Sequence, residues 1–504
     1  MKLNHIYKSI ACGVLLAMTA TSCDLDYNPV DTYSDVTEGV NKTDEKPIFN
    51  SVQDVETSMV TLHKKFRDRQ EHWYVDKLLI GDAHSDNAYA GTTGAEVVPY
   101  ETNSIEGSNS VLKRDWDRFL GDIAVANRII VGCDQLKALS ESERGKYQSQ
   151  AKIFRAMVMF DMVRLWGNFP VITTVGGDIT EDNVEEMYPT YFPPQNTAEE
   201  AYAQIEKDLT EAVENPNTPT NDTSDKSILT KSVARAMLAK VYAEKPLRDY
   251  AKVIKYADEL AADGFDLVED FSDLWAYDTE KKDCRVRNTK EAILEAHFPP
   301  GSGNWCTWMF GRNLSNWDES FTWAKWITPS RDLIRLYEEQ GDTKRYNESV
   351  VWYDCGWSNY YPADHYAFMY KCRSAFNSII YLRYADILLL KAEAKIMGEA
   401  PDLNGAADII DRTGLGKLPQ STRSSKEALL QAYMDERRME LAFEGQRWYD
   451  LCRLNKVEEV MNAVYAKDSG RHAQENLFNE NSYLLAIPQG AIDQNENLIQ
   501  NPGY

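Results

Sequence analysis

Apolar residues recur at helical spacing through much of the chain. Val233, Met237 and Val241 follow i, i+4 spacing, and after a break at Pro246 the stretch Tyr250 to Ala262 repeats it with Val253, Ala257 and Leu260. Thr230 to Asp263 is therefore predicted to be a helix pair of 34 residues, the tetratricopeptide period. Alanines fall at several crossing positions, where small side chains let paired helices approach closely. Comparable stretches at 147–166, 198–214, 379–397 and 425–455 predict further degenerate hairpins separated by insertions. The W-x-x-L-G-x-x-Y pattern is incomplete, so helix hairpins are better supported than true repeats.

The last of these stretches carries charge where core is expected. Leu430, Tyr433, Arg437 and Leu441 share one stripe, so Arg437 stands at a position suited to leucine. A buried guanidinium needs a carboxylate, which Glu440, Glu444 or a facing helix can supply. Ser424 and Glu427 have capping-box spacing and mark the predicted helix start.

Between Ala276 and Tyr370 the helical pattern fades except over Thr328 to Glu339. Seven of the twelve tryptophans lie there (Trp305, Trp308, Trp317, Trp323, Trp326, Trp352 and Trp357), with Tyr353, Tyr360, Tyr361 and Tyr366. Such rigid aromatic area in irregular chain calls for a ligand or a satellite core. A sugar ring offers C–H patches on one face and hydroxyls at its edge, so its site needs a flat aromatic platform rimmed by polar groups. Asn304, Trp305, Trp308, Arg312, Trp317, Trp323 and Trp357 supply that mixture and are candidate ligand-binding residues. A second candidate is the loop Gly81 to Tyr89 with the glycine-rich stretch 90–94, where Asp86 and Asn87 would meet hydroxyls and Tyr89 would stack. Turns use the same residue types for their own geometry.

The N-terminus adds a location. Lys2 and Lys8 precede an apolar run from Ile10 to Met18, too short to span a bilayer, and Ala20-Thr-Ser-Cys23 follows. Residues 1–22 are read as a lipoprotein signal peptide, Cys23 as the acylated first residue, 23–45 as a polar tether and 46–504 as the body. The formal charge of −24 becomes −26 once Lys2 and Lys8 leave with the signal, which argues against nucleic acid as a partner.

Searches for other chemistry return little. There is no C-x-x-C pair, H-E-x-x-H, G-x-S-x-G or Walker loop, and with 79 acidic residues no glycosidase pair can be singled out. Asp493 to Asn497 resembles a calcium loop only faintly, because Leu498 stands where glycine is needed. Neither a cofactor nor a metal is predicted, since no calcium ligand set can be assembled. Cys355 with Cys372, or Cys284 with Cys306, are close enough in sequence to pair after export, and Cys452 reads as helix filler.

Several blocks carry a family resemblance. Asp435-Glu-Arg-Arg-Met-Glu-Leu-Ala-Phe-Glu-Gly-Gln-Arg-Trp-Tyr-Asp450 resembles the C-terminal signature of the SusD/RagB family of Bacteroidetes surface lipoproteins. Ile487-Pro-Gln489 with Gln500-Asn-Pro-Gly-Tyr504, Ala151 to Ala156 with Leu165 to Pro170, and Leu382 to Glu393 match further blocks in family order. The resemblance implies a mostly α, SusD-like fold with tetratricopeptide-type hairpins as scaffold and a ligand-binding insertion near 276–370. It implies a non-catalytic outer-membrane lipoprotein, exposed at the cell surface, that passes glycan to a SusC-like TonB-dependent transporter. Asp24 and Asp26 resemble the family's acidic export signal, and Gly81 to Tyr89 its loop near ligand and transporter. Peptide capture is the alternative, then a glycoside hydrolase, then a scaffold that binds only protein.

Overall fold

Capping side chains mark where the long helices begin. In the computed structural model, which describes residues 47–91, 94–177, 184–278, 280, 283–298, 303–305, 326–356, 358–371 and 373–504, Ser51 and Asp54 form a capping box that opens α1 (Val52–Asp68). Asn109 caps α2 (Ser110–Gln135), Ser140 with Glu143 opens α3 (Glu141–Trp166), and Thr197 with Glu200 opens α4 (Ala198–Glu214). Thr230 caps α5 (Lys231–Ala243) and Asp249 caps α6 (Tyr250–Ala262), so the helix pair lies where its spacing predicts. Successive helices pack on one another from α2 to α6, and the mostly α expectation holds.

After a central segment the stack resumes with α9 (Tyr384–Met397) and α10 (Leu403–Thr413), α9 lying against α6. The chain closes through α11 (Lys426–Glu440), α12 (Arg447–Arg453) and α13 (Val457–Lys467). Residues 47–176 and 184–504 form one unit around a single large core.

The described part of the central segment contains short strands and two α-helices. β1 (Ala88–Tyr89) pairs antiparallel with β3 (Thr328–Pro329), and β2 (Ala292–Ala296) with β6 (Ile379–Arg383). β4 (Val350–Tyr353) and β5 (Tyr366–Met369) form a hairpin in which Val350 faces Met369 and Tyr353 faces Tyr366. Between β3 and β4 stand α7 (Arg331–Gln340) and α8 (Thr343–Ser349).

Three boundaries differ from the sequence reading. The stretch 379–397 opens as β6, because Ile379-Ile-Tyr-Leu382 pairs with β2 before the helix starts at Tyr384. The stretch 425–455 is two helices separated by a turn in which Phe443 and Gly445 have positive φ, 60° and 70°. Its cap is Ser425, whose hydroxyl accepts the Ala428 N–H at 3.2 Å, whereas Ser424 ends the preceding turn.

Candidate functional site

Around α11 the carboxylates and guanidinium groups are buried in pairs. Arg437 has a side chain only 4% exposed and lies 2.6 Å from Asp386 on α9 and 2.6 Å from Asp450 on α12. Its partners are thus a facing helix and the next helix, while Glu440 and Glu444 serve Arg383 at 2.6 Å each. Burial would raise the Asp386 carboxyl, yet Lys240 and Arg437 hold it well below the usual range. Arg345 forks onto Glu436 at 2.6 and 2.9 Å and reaches Glu440 at 2.9 Å.

The early loop is built into this network and does not face solvent. Asp86 is 2% exposed and receives Arg447 at 2.8 and 2.9 Å, and Arg438 lies 3.3 Å away. Burial opposes its ionisation, but Arg438 and Arg447 keep it charged. Asn87 donates to Asp82 at 2.8 Å and accepts from Arg438 at 2.9 Å. Tyr89 is fully buried, stacks on Tyr360 at 4.5 Å and donates to Asp468 at 2.6 Å. The ligand-facing expectation for Asp86, Asn87 and Tyr89 is corrected accordingly: their polar atoms are committed inside the protein, where they join α11, α12 and the early loop.

One crevice brings aromatic surface and polar groups together. It is narrow, with about 40 Å³ of interior space, and reaches about 560 Å³ only when the open solvent at its mouth is counted. Trp73 and Tyr74 form one side, Trp275 with Ser378, Ile379, Ile380 and Tyr381 another, and Phe443, Glu444 and Gln446 of the turn before α12 close it. Trp73 is held by its indole N–H to Asp122 at 3.0 Å and meets Tyr381 edge-on at 6.1 Å. Tyr381 donates to the Phe66 carbonyl at 2.6 Å, which fixes its ring. Lys77 sits 5.0 Å from the Trp73 ring and Lys371 4.5 Å from the Trp275 ring. Burial pulls the Lys371 ammonium below its ordinary pKa, against the pull of Glu444. Tyr74, Lys77, Tyr381, Ser378, Glu444 and Gln446 are partly exposed, so the rim mixes rings with hydroxyl, ammonium, carboxylate and amide groups.

The predicted aromatic insertion starts beside this crevice. Gln70 accepts the Trp305 N–H at 2.8 Å, just before Trp73 and Tyr74 in the chain. Asn304 is 4% exposed and donates to the carbonyls of Ser374 and Asn377 at 3.1 and 2.7 Å, next to the Ser378–Tyr381 wall. Asn304 is corrected from a ligand contact to an anchor of that segment, and Trp305 is half-buried against the core. Trp308, Arg312, Trp317, Trp323, Trp357 and Cys23 lie outside the described residues, as do Cys306 and Cys372 of the two proposed cysteine pairs. Asn495 and Asn497 donate to the Pro193 and Phe192 carbonyls, both at 2.8 Å, which makes the supposed calcium loop a tail clamp. Among the described residues no cluster of three or more His, Cys, Asp or Glu side chains suits a metal ion.

Sequence reasoning missed Trp73, Tyr74, Trp275 and Tyr381. The adjacent pair Trp73-Tyr74 ahead of the early loop was a usable signal, and Trp275 lies one residue before the aromatic window began.

Comparison with known proteins adds a family. Residues 369–504 match the model of the SusD family, and residues 33–243 match a SusD-like model described as starch-binding and associating with the outer membrane. The SusD-like protein P2 of Formosa agariphila is 23% identical, over 97% of this chain and 98% of its own. Surface glycan-binding protein A of Bacteroides fluxus superposes with a TM-score of 0.72 at 20% identity, covering 90% of this chain and 100% of that one. A laminarin-binding SusD-like protein superposes with a TM-score of 0.67 at 20% identity, again over 90% and 100%. At such identities the structural likeness establishes the fold.

Proposed function

We propose that this chain, which belongs to the SusD/RagB family, is a cell-surface lipoprotein that binds oligosaccharide without cleaving it and passes it to a SusC-like TonB-dependent transporter. The observation that carries this reading is the crevice, where Tyr74 and Tyr381 offer ring surface, with the buried Trp275 behind them, beside Ser378, Glu444 and Gln446. Its closing wall is the Phe443–Gln446 turn of the family signature, so the segment that defines the family also shapes the pocket. The glycan and laminarin ligands named for two structural neighbours support the same class of cargo.

The non-catalytic reading is supported by the ion pairs around Glu444. Glycoside hydrolysis needs two carboxyl groups, one of which must give and take a proton. Glu444 is the carboxylate lining the described crevice, and Arg383 and Lys371 hold it at 2.6 and 2.5 Å. Stacking and a few hydrogen bonds give micromolar to millimolar affinity, on the order of 4 to 8 kcal/mol, weak enough for hand-over. Attachment to the outer membrane would come from acylated Cys23, since no helix among the described residues is long and apolar enough to cross a membrane.

Calorimetric titration of the chain from Asp24 onward against plant, microbial and host oligosaccharides, with peptides alongside, tests the reading. Saturable binding to one glycan class, with the sugar recovered intact, is expected. Binding to peptides alone would move the protein to the peptide-capturing branch.

A further inference from the structure

The charges around the crevice narrow its ligand. Two ammonium groups line it and each already faces a carboxylate, Lys77 at 2.5 Å from Asp161 and Lys371 at 2.5 Å from Glu444. Asp161 also holds Arg164 at 2.6 Å, and Glu444 also receives Arg383 at 2.6 Å. One partner of each pair is buried, the Asp161 and Lys371 side chains being 5% and 2% exposed, while Lys77 and Glu444 reach the rim at 25% and 14%.

Behind Glu444 the network is acidic on balance. Lys371, Arg383 and Arg345 stand against Glu444, Glu440, Glu291, Glu436 and Asp342, three cations to five carboxylates. A carboxylate or sulfate entering beside Glu444 would have to break the Lys371 pair or lie unpaired near this excess, and one entering beside Lys77 would compete with Asp161 for that ammonium. The formal charge of −24 also repels a polyanion before contact. Uncharged rings meet no such barrier, because Ser378, Glu444 and Gln446 can exchange hydrogen bonds with hydroxyls while the ion pairs stay closed.

We propose that the crevice selects uncharged sugar residues and excludes glycans whose rings carry carboxylate or sulfate groups. The proposal rests on the glycan-binding reading and deepens it by naming the ligand's charge class.

The test sets neutral malto-, cello-, laminari-, xylo- and manno-oligosaccharides beside oligogalacturonate, alginate oligomers and heparin fragments of equal length, at about 0.15 M salt. Saturable binding is expected in the neutral set, with the acidic set weaker by about tenfold or more. The Asp161→Asn variant releases the Lys77 ammonium and is expected to narrow that gap by about threefold or more, with neutral binding unchanged. If that variant fails to fold, the wild-type panel decides. Tightest binding to an acidic glycan, weakening as salt rises, would overturn the charge proposal and leave the glycan reading intact. Binding to peptides with no glycan bound would overturn both.

Discussion

Gly81 lies against Gly445 so closely that a Cβ built on it would stand 2.4 Å from the Gly445 backbone. The contact joins two motifs far apart in sequence, the early loop and the signature turn. Asp82 secures the approach, since its two carboxylate oxygens accept the Phe443 and Gly445 N–H groups at 3.0 and 2.8 Å. Gly445 has no room to yield, because a Cβ there would stand 2.9 Å from the Lys77 carbonyl oxygen. Gly81→Ala is therefore expected to cost about 3 kcal/mol or more of folding stability, as overpacking against rigid backbone does. Urea unfolding measures it, and a midpoint like that of wild type would show that the two loops can separate freely.

Arg437→Ala should destabilise the protein by about 3 to 5 kcal/mol, because Asp386 and Asp450 would be left facing each other's charge in a buried site. Lys240 would still neutralise Asp386, so Asp450 would retain only Arg453, at 2.9 Å. Arg437 does not line the crevice, so ligand affinity measured on the folded fraction is expected to match wild type. Unchanged unfolding would mean that the α9–α11–α12 junction is held by packing alone.

His84 makes stability depend on acid. It is 1% exposed beside Trp448 and Phe478, with its Nδ1 on the Tyr100 carbonyl, and burial pushes its pKa from 6.5 down to about 4. Above pH 6.5 the ring is neutral folded and unfolded, so it adds no pH slope there. As pH falls from 6.5 towards 4 the unfolded chain takes up a proton that the folded chain refuses, and stability drops by up to about 3 kcal/mol. Asp82, pushed up to about 6 by burial, contributes the opposite slope over part of this window. The difference between wild type and His84→Gln isolates the histidine. Thermal melts between pH 7 and 4 should show the gap between them shift in favour of the variant as pH falls. A constant gap would mean that His84 is already charged or solvated in the folded state.

Local spacing made part of this molecule readable. Val233, Met237 and Val241 repeat at one helical period, and their helix lies where that repeat puts it. Arg437 was legible as buried because it broke an apolar stripe, but its partners lie 51 and 13 residues away, and spacing on one helix cannot show what faces it. Adjacent serines 424 and 425 offer the same capping chemistry, so the start was misread by one residue. Asp86, Asn87 and Tyr89 are residue types that serve a ligand rim and a buried ion-pair network equally well, and only tertiary packing separates the two. Counting tryptophans pointed to residues 276–370, whereas the crevice draws on four separate stretches that meet only in the fold.

The crevice itself gives the most direct test of function. Tyr74 is partly exposed at its edge, and Trp305 is half-buried on Gln70 where the aromatic insertion departs. Loss of a stacking ring at a partly exposed position removes contact area from the ligand, so Tyr74→Ala in the crevice wall and Trp305→Ala in the aromatic insertion beside it should each weaken glycan binding by about tenfold. Their melting temperatures should stay within about 4 °C of wild type, since rim substitutions seldom cost more than about 1 kcal/mol. Trp73→Ala is the contrast: this ring is fully buried, donates to Asp122 at 3.0 Å and packs on Phe66 at 4.5 Å, so its loss is expected to cost about 3 to 5 kcal/mol. Titration calorimetry beside differential scanning calorimetry separates the two outcomes. If Tyr74→Ala and Trp305→Ala both bind as tightly as wild type and remain stable, the ligand sits elsewhere on the protein and the crevice is a structural seam between the early loop and the signature turn.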